Sequence, residues 1–166
     1  MDLPWLSYKD SLRVVMPLLL SLAIGGSLSS CGLGVRTRAL LGGKVDLKVY
    51  VADTANRNSP VAVDVLLVYD KDLLQSALKM SAREWFEKRE QITRDYREGE
   101  GLDVWRWEWV PGQSVPLQAL PLKAKAKAIV IYANYASPGD HRARVDPHAS
   151  VVLQLLEKDF SVRPLK

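Results

Sequence analysis

From Val45 to Val51 the chain alternates, with Val45, Leu47, Val49 and Val51 interleaved with Asp46, Lys48, Tyr50 and Ala52. A period of two puts one set of side chains on one face, so this stretch predicts a half-buried strand. Asp53 to Pro60 (Asp-Thr-Ala-Asn-Arg-Asn-Ser-Pro) gathers turn formers and predicts a loop. A second strand is expected from Val61 to Tyr69. It is rich in β-branched residues on both faces, which suits a strand inside a sandwich rather than at its edge.

The period then changes. Leu73, Leu74, Ala77 and Leu78 share one helical face, and Trp85, Phe86, Arg89, Ile92 and Tyr96 repeat that spacing more strongly. Ser81 and Glu84 stand at capping-box spacing, the serine able to accept from a free backbone N–H while the glutamate reaches back. Met80 and Trp85 can staple the same helix start. Glu84, Glu87, Lys88, Glu90, Arg94 and Asp95 fall on the wet side. A helical excursion from a β chain is the expectation.

Strand alternation resumes from Leu102 to Val110, after a charged turn at Arg97 to Gly101. Trp105, Trp107 and Trp109 share one face, Arg106 and Glu108 the other. The indole row reads as core packing, with an exposed patch for a partner as the alternative. Pro111-Gly112 ends the strand. Val115 to Leu120 is expected only at an edge, because Pro116 and Pro121 cannot donate to a ladder. Lys123, Lys125 and Lys127 alternate with alanines and read as guards of an edge strand, the alternative being contact with anionic lipid headgroups. Ile129 to Ala133 is the strongest core strand, and Ser137 to Asp140 a turn before a polar stretch, Arg142 to His148. Ser150 to Leu156 and Asp159 to Val162 make a last pair, or one strand bulged near Lys158. The sum is a mostly β fold, a two-sheet β-sandwich with a helical insert.

Ahead of this domain lies a different signal. Lys9 and Arg13 precede a mostly apolar run from Val14 to Leu28, and Leu28-Ser29-Ser30-Cys31-Gly32 follows, with the chain's one cysteine. Charge, apolar run, small residues and cysteine in that order are the processing site of a bacterial lipoprotein, the Cys31 thiol being the nucleophile that takes the lipid. Residues 1–30 are therefore expected to be a leader, 31–44 a lipid-anchored flexible tether rich in glycine, and 45–166 the sandwich domain. Gly32 in place of an acidic residue after the cysteine resembles the sorting signal for the outer membrane, facing the periplasm.

The net charge of +4 is set by 23 basic and 19 acidic residues of mixed order. It speaks for an ordinary solvated surface and against a nucleic-acid binder. With Cys31 acylated no thiol is left for a disulfide. His141 and His148 are the only imidazoles. Asp140-His141 and Asp146-Pro147-His148 lack zinc-site spacing, so both read as solvated loop residues. No strand–turn–helix flanks a serine, and Gly32-x-Gly34 lacks a preceding strand. No catalytic residue, metal or cofactor is expected, and a binding or scaffolding protein remains.

Asn56-Arg57-Asn58-Ser59-Pro60-Val61-Ala62-Val63, leading into a long strand, resembles the type VI secretion outer-membrane lipoproteins, the TssJ family. A helical insert (Asp72 to Tyr96), a strand ending in Val110-Pro111-Gly112-Gln113 and the buried run Ala128 to Tyr135 continue the likeness. His141-Arg142 stands where the family often has Trp-Arg. The resemblance implies a small transthyretin-like sandwich, not an enzyme, held in the outer membrane by its acylated cysteine. It would bind the periplasmic domain of the inner-membrane subunit TssM. In the family the loop between the first two strands makes much of that contact, which implies Asp53, Thr54, Asn56, Arg57 and Asn58. The rivals are a scaffold or chaperone of another envelope-spanning machine and, in a different class, a lipid-anchored hydrolase around His141 and His148.

Overall fold

Strand β2 (Val61–Val68) is buried along both faces because the fold places a layer on each side of it. The computed structural model describes residues 30–165, with side chains described from residue 34. Contacts divide the chain into Met1–Val35 and Arg36–Lys166, and the sandwich belongs to the second unit. The expected leader, Lys9 and Arg13 included, lies outside the described residues except for Ser30.

The strands are β1 (Lys44–Val51), β2, β3 (Leu102–Trp109), β4 (Gln118–Pro121), β5 (Ala128–Asn134), β6 (Arg142–Val145), β7 (Val151–Leu155) and β8 (Phe160–Pro164). They form two four-stranded sheets, ordered β4-β1-β7-β8 and β3-β2-β5-β6. All pairs are antiparallel except β1 with β7, where Leu47 faces Val151 and Val51 faces Leu155. Between the sheets Val45, Leu47 and Val49 meet Val61, Val63, Val65 and Leu67, with Ile129, Ile131, Leu153 and Leu155. Each such side chain contributes roughly 1.5–3 kcal/mol by leaving water. Trp109 is buried in this core, with Trp105 and Trp107 packed against it and Trp107 stacked on Trp109, so the indole row faces inward.

The alternate positions of β2 and β5 face outward onto the helical insert. There Leu66, Val68, Val130 and Tyr132 pack against Leu73 and Leu74 of α2 (Lys71–Ala77) and Trp85 of α3 (Ala82–Asp95); α1 is Ser30–Leu40. Asp64 sits among them at 1% exposure, accepting from Trp85 Nε1 at 2.8 Å and Arg89 Nη1 at 3.1 Å, with Arg106 Nε at 3.9 Å. A buried carboxylate so partnered fixes where the helix lies; removing one partner of such a pair costs about 3–5 kcal/mol. The capping box forms as expected. The backbone and then the side-chain hydrogen bonds from Ser81 hold the Glu84 carboxyl below its usual range, so the box is whole in neutral solution and loosens as acid protonates it.

Three local expectations are corrected. Residues 31–44 are not an irregular tether: α1 runs to Leu40 and closes in a Schellman turn, with Gly43 N–H to Arg38 O (2.8 Å) and Gly42 N–H to Ala39 O (3.2 Å). Gly42 takes the left-handed position at φ 74°, and Ala39 packs on the inter-sheet core, which holds the turn in place. Lys123 to Lys127 is a loop between β4 and β5 and guards no strand. The polar stretch after residue 141 contains β6, an edge strand with Val145 as its buried member. The last pair is as expected, β7 and β8 being two antiparallel strands joined by a turn.

Candidate partner-binding loops

The strand register sends four connections to one end of the sandwich. Val61 pairs with Trp109 and Ala62 with Asn134, while Val51 pairs with Leu155. The β1–β2, β3–β4, β5–β6 and β7–β8 loops therefore all emerge where β1 finishes. The expected partner-binding residues lie in the first of them.

That loop holds Asn56, Arg57 and Asn58 in succession at φ 46°, 54° and 64°. A left-handed run of L-residues costs about 1–2 kcal/mol per residue, least for asparagine, so it persists only where its surroundings impose it. The surroundings are the other loops. Asn56 N–H and Arg57 N–H donate to Leu156 O (3.1 Å) and Glu157 O (3.2 Å), and Ala52 N–H to Leu155 O (2.9 Å). The buried Asn56 amide donates to Pro60 O (2.9 Å) and accepts from Ala136 N–H (2.8 Å). Gly112 N–H donates to Ala52 O (3.2 Å), and a Cβ on Gly112 would come within 2.7 Å of Asp53 Oδ1. The Asp53 carboxylate can move aside, but the φ of 71° at Gly112 favours glycine at this corner.

A second set of ties joins the β5–β6 and β7–β8 loops. Tyr135 Oη accepts from Leu156 N–H (3.1 Å), and Ser137 Oγ donates to Lys158 O. His141, expected to be solvated, is buried and stacks on Tyr135 with ring centroids 5.0 Å apart. Its Nδ1 lies 2.9 Å from Asp159 Oδ1 and its Nε2 2.9 Å from Ser137 O. Both partners are acceptors, so both bonds are complete only with a proton on each ring nitrogen. Burial raises the Tyr135 phenol above its ordinary pKa.

Of the five expected residues, Asp53, Thr54, Arg57 and Asn58 are exposed together, whereas Asn56 is buried and its amide is committed inside the fold. Asn56 thus positions the loop rather than touching a partner through its side chain. The neighbouring loops add Val110 at 51% and Leu156 at 45% exposure. Sequence reading assigned both to strand ends, although an apolar residue directly before Pro111-Gly112 was a usable signal. His141 and His148 line separate hollows, the first with Ser81 and Tyr135, the second with Arg144 and Asp146. Among the described residues there is no group of three or more His, Cys, Asp or Glu able to hold a metal, and no helix long and apolar enough to cross a membrane. The geometry is that of a stiff surface with polar and apolar contacts to offer.

No protein-family profile and no curated protein matches the chain. Among solved structures it is similar to the type VI secretion system (T6SS) lipoprotein TssJ1 from Pseudomonas aeruginosa, at 12% identity over 75% of this chain and 98% of that one, with a TM-score of 0.59. It is similar also to Serratia marcescens Lip, a membrane-bound component of the type VI secretion system, at 15% identity over 74% and 97%, TM-score 0.53. A chain in the structure of the T6SS protein TssM C-terminal domain from EAEC matches at 16% identity over 74% and 97%, TM-score 0.50. At these identities the likeness is one of fold, and it is the fold that the residues around Ser59-Pro60-Val61 led us to expect.

Proposed function

We propose that this chain is an outer-membrane lipoprotein of a type VI secretion membrane complex, acylated at Cys31 and facing the periplasm. Its loop end holds the periplasmic domain of TssM, and it carries out no catalysis. The observation that carries the reading is the left-handed run at Asn56 to Asn58, a strained loop kept in one shape by three neighbouring loops. Strain of this kind collects at binding sites, and a preorganised loop loses little entropy when a partner docks. The likeness in fold to TssJ1 and Lip and the order of residues up to Cys31 support the same reading. Asp53, Thr54, Arg57 and Asn58 would supply directional contacts, with Val110 and Leu156 the apolar area beside them.

Isothermal titration of the purified protein with the TssM periplasmic domain tests it. Arg57→Glu is expected to weaken binding at least tenfold while leaving the melting temperature unchanged, since Arg57 is exposed. Unchanged affinity would remove the loop from the interface. If cross-linked envelopes yield components of another machine and no TssM, the scaffold of a different assembly becomes the better account.

A further inference from the structure

The end of the sandwich opposite the loops has a surface that the partner contact leaves unused. Leu40 and Leu41 stand in solvent at 87% and 82% exposure, at the close of α1. Beside them lies a mostly apolar hollow of about 620 Å³, floored by Ala39, Pro121 and Leu122. Its charged lining is Arg36, Lys44, Lys123 and Lys125, with no acidic residue among them. Leu40 lines the hollow together with the four cations and Leu41 follows it in the chain, so apolar and cationic side chains gather at this end as they do on an interaction surface.

We infer that this surface seats the domain on an anionic phospholipid membrane, Leu40 and Leu41 entering the interface while Arg36, Lys44, Lys123 and Lys125 meet the phosphates. The inference rests on the acylation proposed for Cys31. Leu41 follows Cys31 by ten residues, so even a fully extended chain holds it within about 35 Å of the anchor. Of the two ends, this is the one that chain connectivity brings to the bilayer. Apolar side chains flanked by lysine and arginine suit the headgroup boundary, because the long cationic stems reach phosphate while the leucines leave water. Lys125 is already steered, its Nζ donating to Gly99 O and lying 4.6 Å from the Tyr69 ring centre. A domain seated this way presents Asp53 to Asn58 away from the membrane, toward a partner.

The test uses the acylated protein, purified in detergent and reconstituted into vesicles of phosphatidylcholine with phosphatidylglycerol. With the Cys31 thiol occupied by lipid, a nitroxide on Leu41→Cys, whose apolar ring takes the place of the leucine side chain, reports on that position alone. The expected result is a label at least tenfold less accessible to an aqueous nickel chelate than one on Asn58→Cys. Lys123→Glu with Lys125→Glu, or vesicles of phosphatidylcholine alone, should restore most of that access. Equal access at positions 41 and 58 in the phosphatidylglycerol vesicles overturns the inference. So does shielding at 41 in detergent with spin–spin broadening, which would mean that a second copy covers the patch. Mass spectrometry of the same sample separates the two readings: a free Cys31 thiol removes the anchor and this seating with it, whereas acylated protein with an exposed label at 41 removes the seating alone.

Discussion

Polar side chains close one end of the sandwich, and apolar and cationic ones cover the other. Of the five buried polar residues among those described, Asn56, Ser137 and His141 belong to the loops where β1 finishes, and each bonds to a loop other than its own or to the base of its own. At the opposite end Asp103 is the buried polar residue, joined to Tyr69 and Gly99, while Leu40, Leu41, Lys44 and Lys123 face solvent. The difference is instructive because, on the proposed reading, the two surfaces have different work to do. A protein partner has a fixed shape, so a surface that recognises it gains from being held rigid beforehand. A lipid surface is fluid, so long flexible side chains serve it as well and need no supporting network. In this molecule buried hydrogen bonds mark where shape has to be kept.

Asn56→Ala should break the comparison most sharply. It leaves Ala136 N–H and Pro60 O without their side-chain partner and puts alanine at φ 46°. Two lost bonds at about 1 kcal/mol each and about 1 kcal/mol of backbone strain give about 3 kcal/mol of destabilisation in urea unfolding. Asn56→Gly loses the same bonds without the strain and should recover about 1 kcal/mol of that. If the two variants unfold alike, the left-handed run carries no strain and the case for a preorganised loop weakens.

Much of this was legible in the sequence and some was not, for physical reasons. β1 and β3 showed their inward faces by alternation. β2 and β5 announced double burial by being apolar on both faces, Asp64 being the exception inside β2, and the capping box stood out through Ser81 and Glu84. The loop at 53–60 was visible as a loop, but its conformation was not: only the two asparagines hinted at left-handed backbone, and the bonds that impose it come from residues 80 to 100 positions later. The parallel pairing of β1 with β7 is hidden for the same reason. β6 was missed because Arg-Ala-Arg-Val shows a single buried side chain, its ladder being supplied by β5. His141 resembled a loop histidine until Asp159 and Tyr135 were found on either side of it. Residues 31–44 misled in the opposite direction, since Gly42 and Gly43 close a helix that also runs through Gly32 and Gly34, and do not make a flexible run.

Alkali should sharpen the comparison by a smaller amount. Burial raises the phenols of Tyr69, Tyr132 and Tyr135 above their ordinary value of 10.0. For Tyr69 the hydrogen bond to the Asp103 carboxylate adds to burial. Unfolded tyrosines lose their protons near pH 10 while the folded ones keep theirs, so the folded state binds more protons above that point. Stability is then fully present below about pH 10 and is lost progressively as the pH rises further. Tyr135→Phe should flatten that decline at a cost of about 1 kcal/mol at neutral pH, because Leu156 N–H also donates to Asp159 O. Amide exchange in the loops after β5 and β7 should rise in this variant more than exchange near Gly99. An alkaline slope identical to that of the parent would mean that Tyr135 is not shielded and the loop end is looser than its bonds imply.

The smallest expected effect is the one that tells whether the opposite end is spare surface. Leu41→Ser removes an apolar side chain of ordinary size, and in a core that would cost several kcal/mol. Leu41 is 82% exposed, so its loss should change the free energy of unfolding by no more than about 0.5 kcal/mol. The same variant should nevertheless reduce vesicle seating about tenfold, since a leucine entering the interface loses its contact with water there. A residue that matters to seating and not to folding is what a membrane-facing surface requires. A loss of stability above about 1 kcal/mol would instead show that Leu41 supports the turn at Gly42, and the contrast between the two ends would then be one of degree.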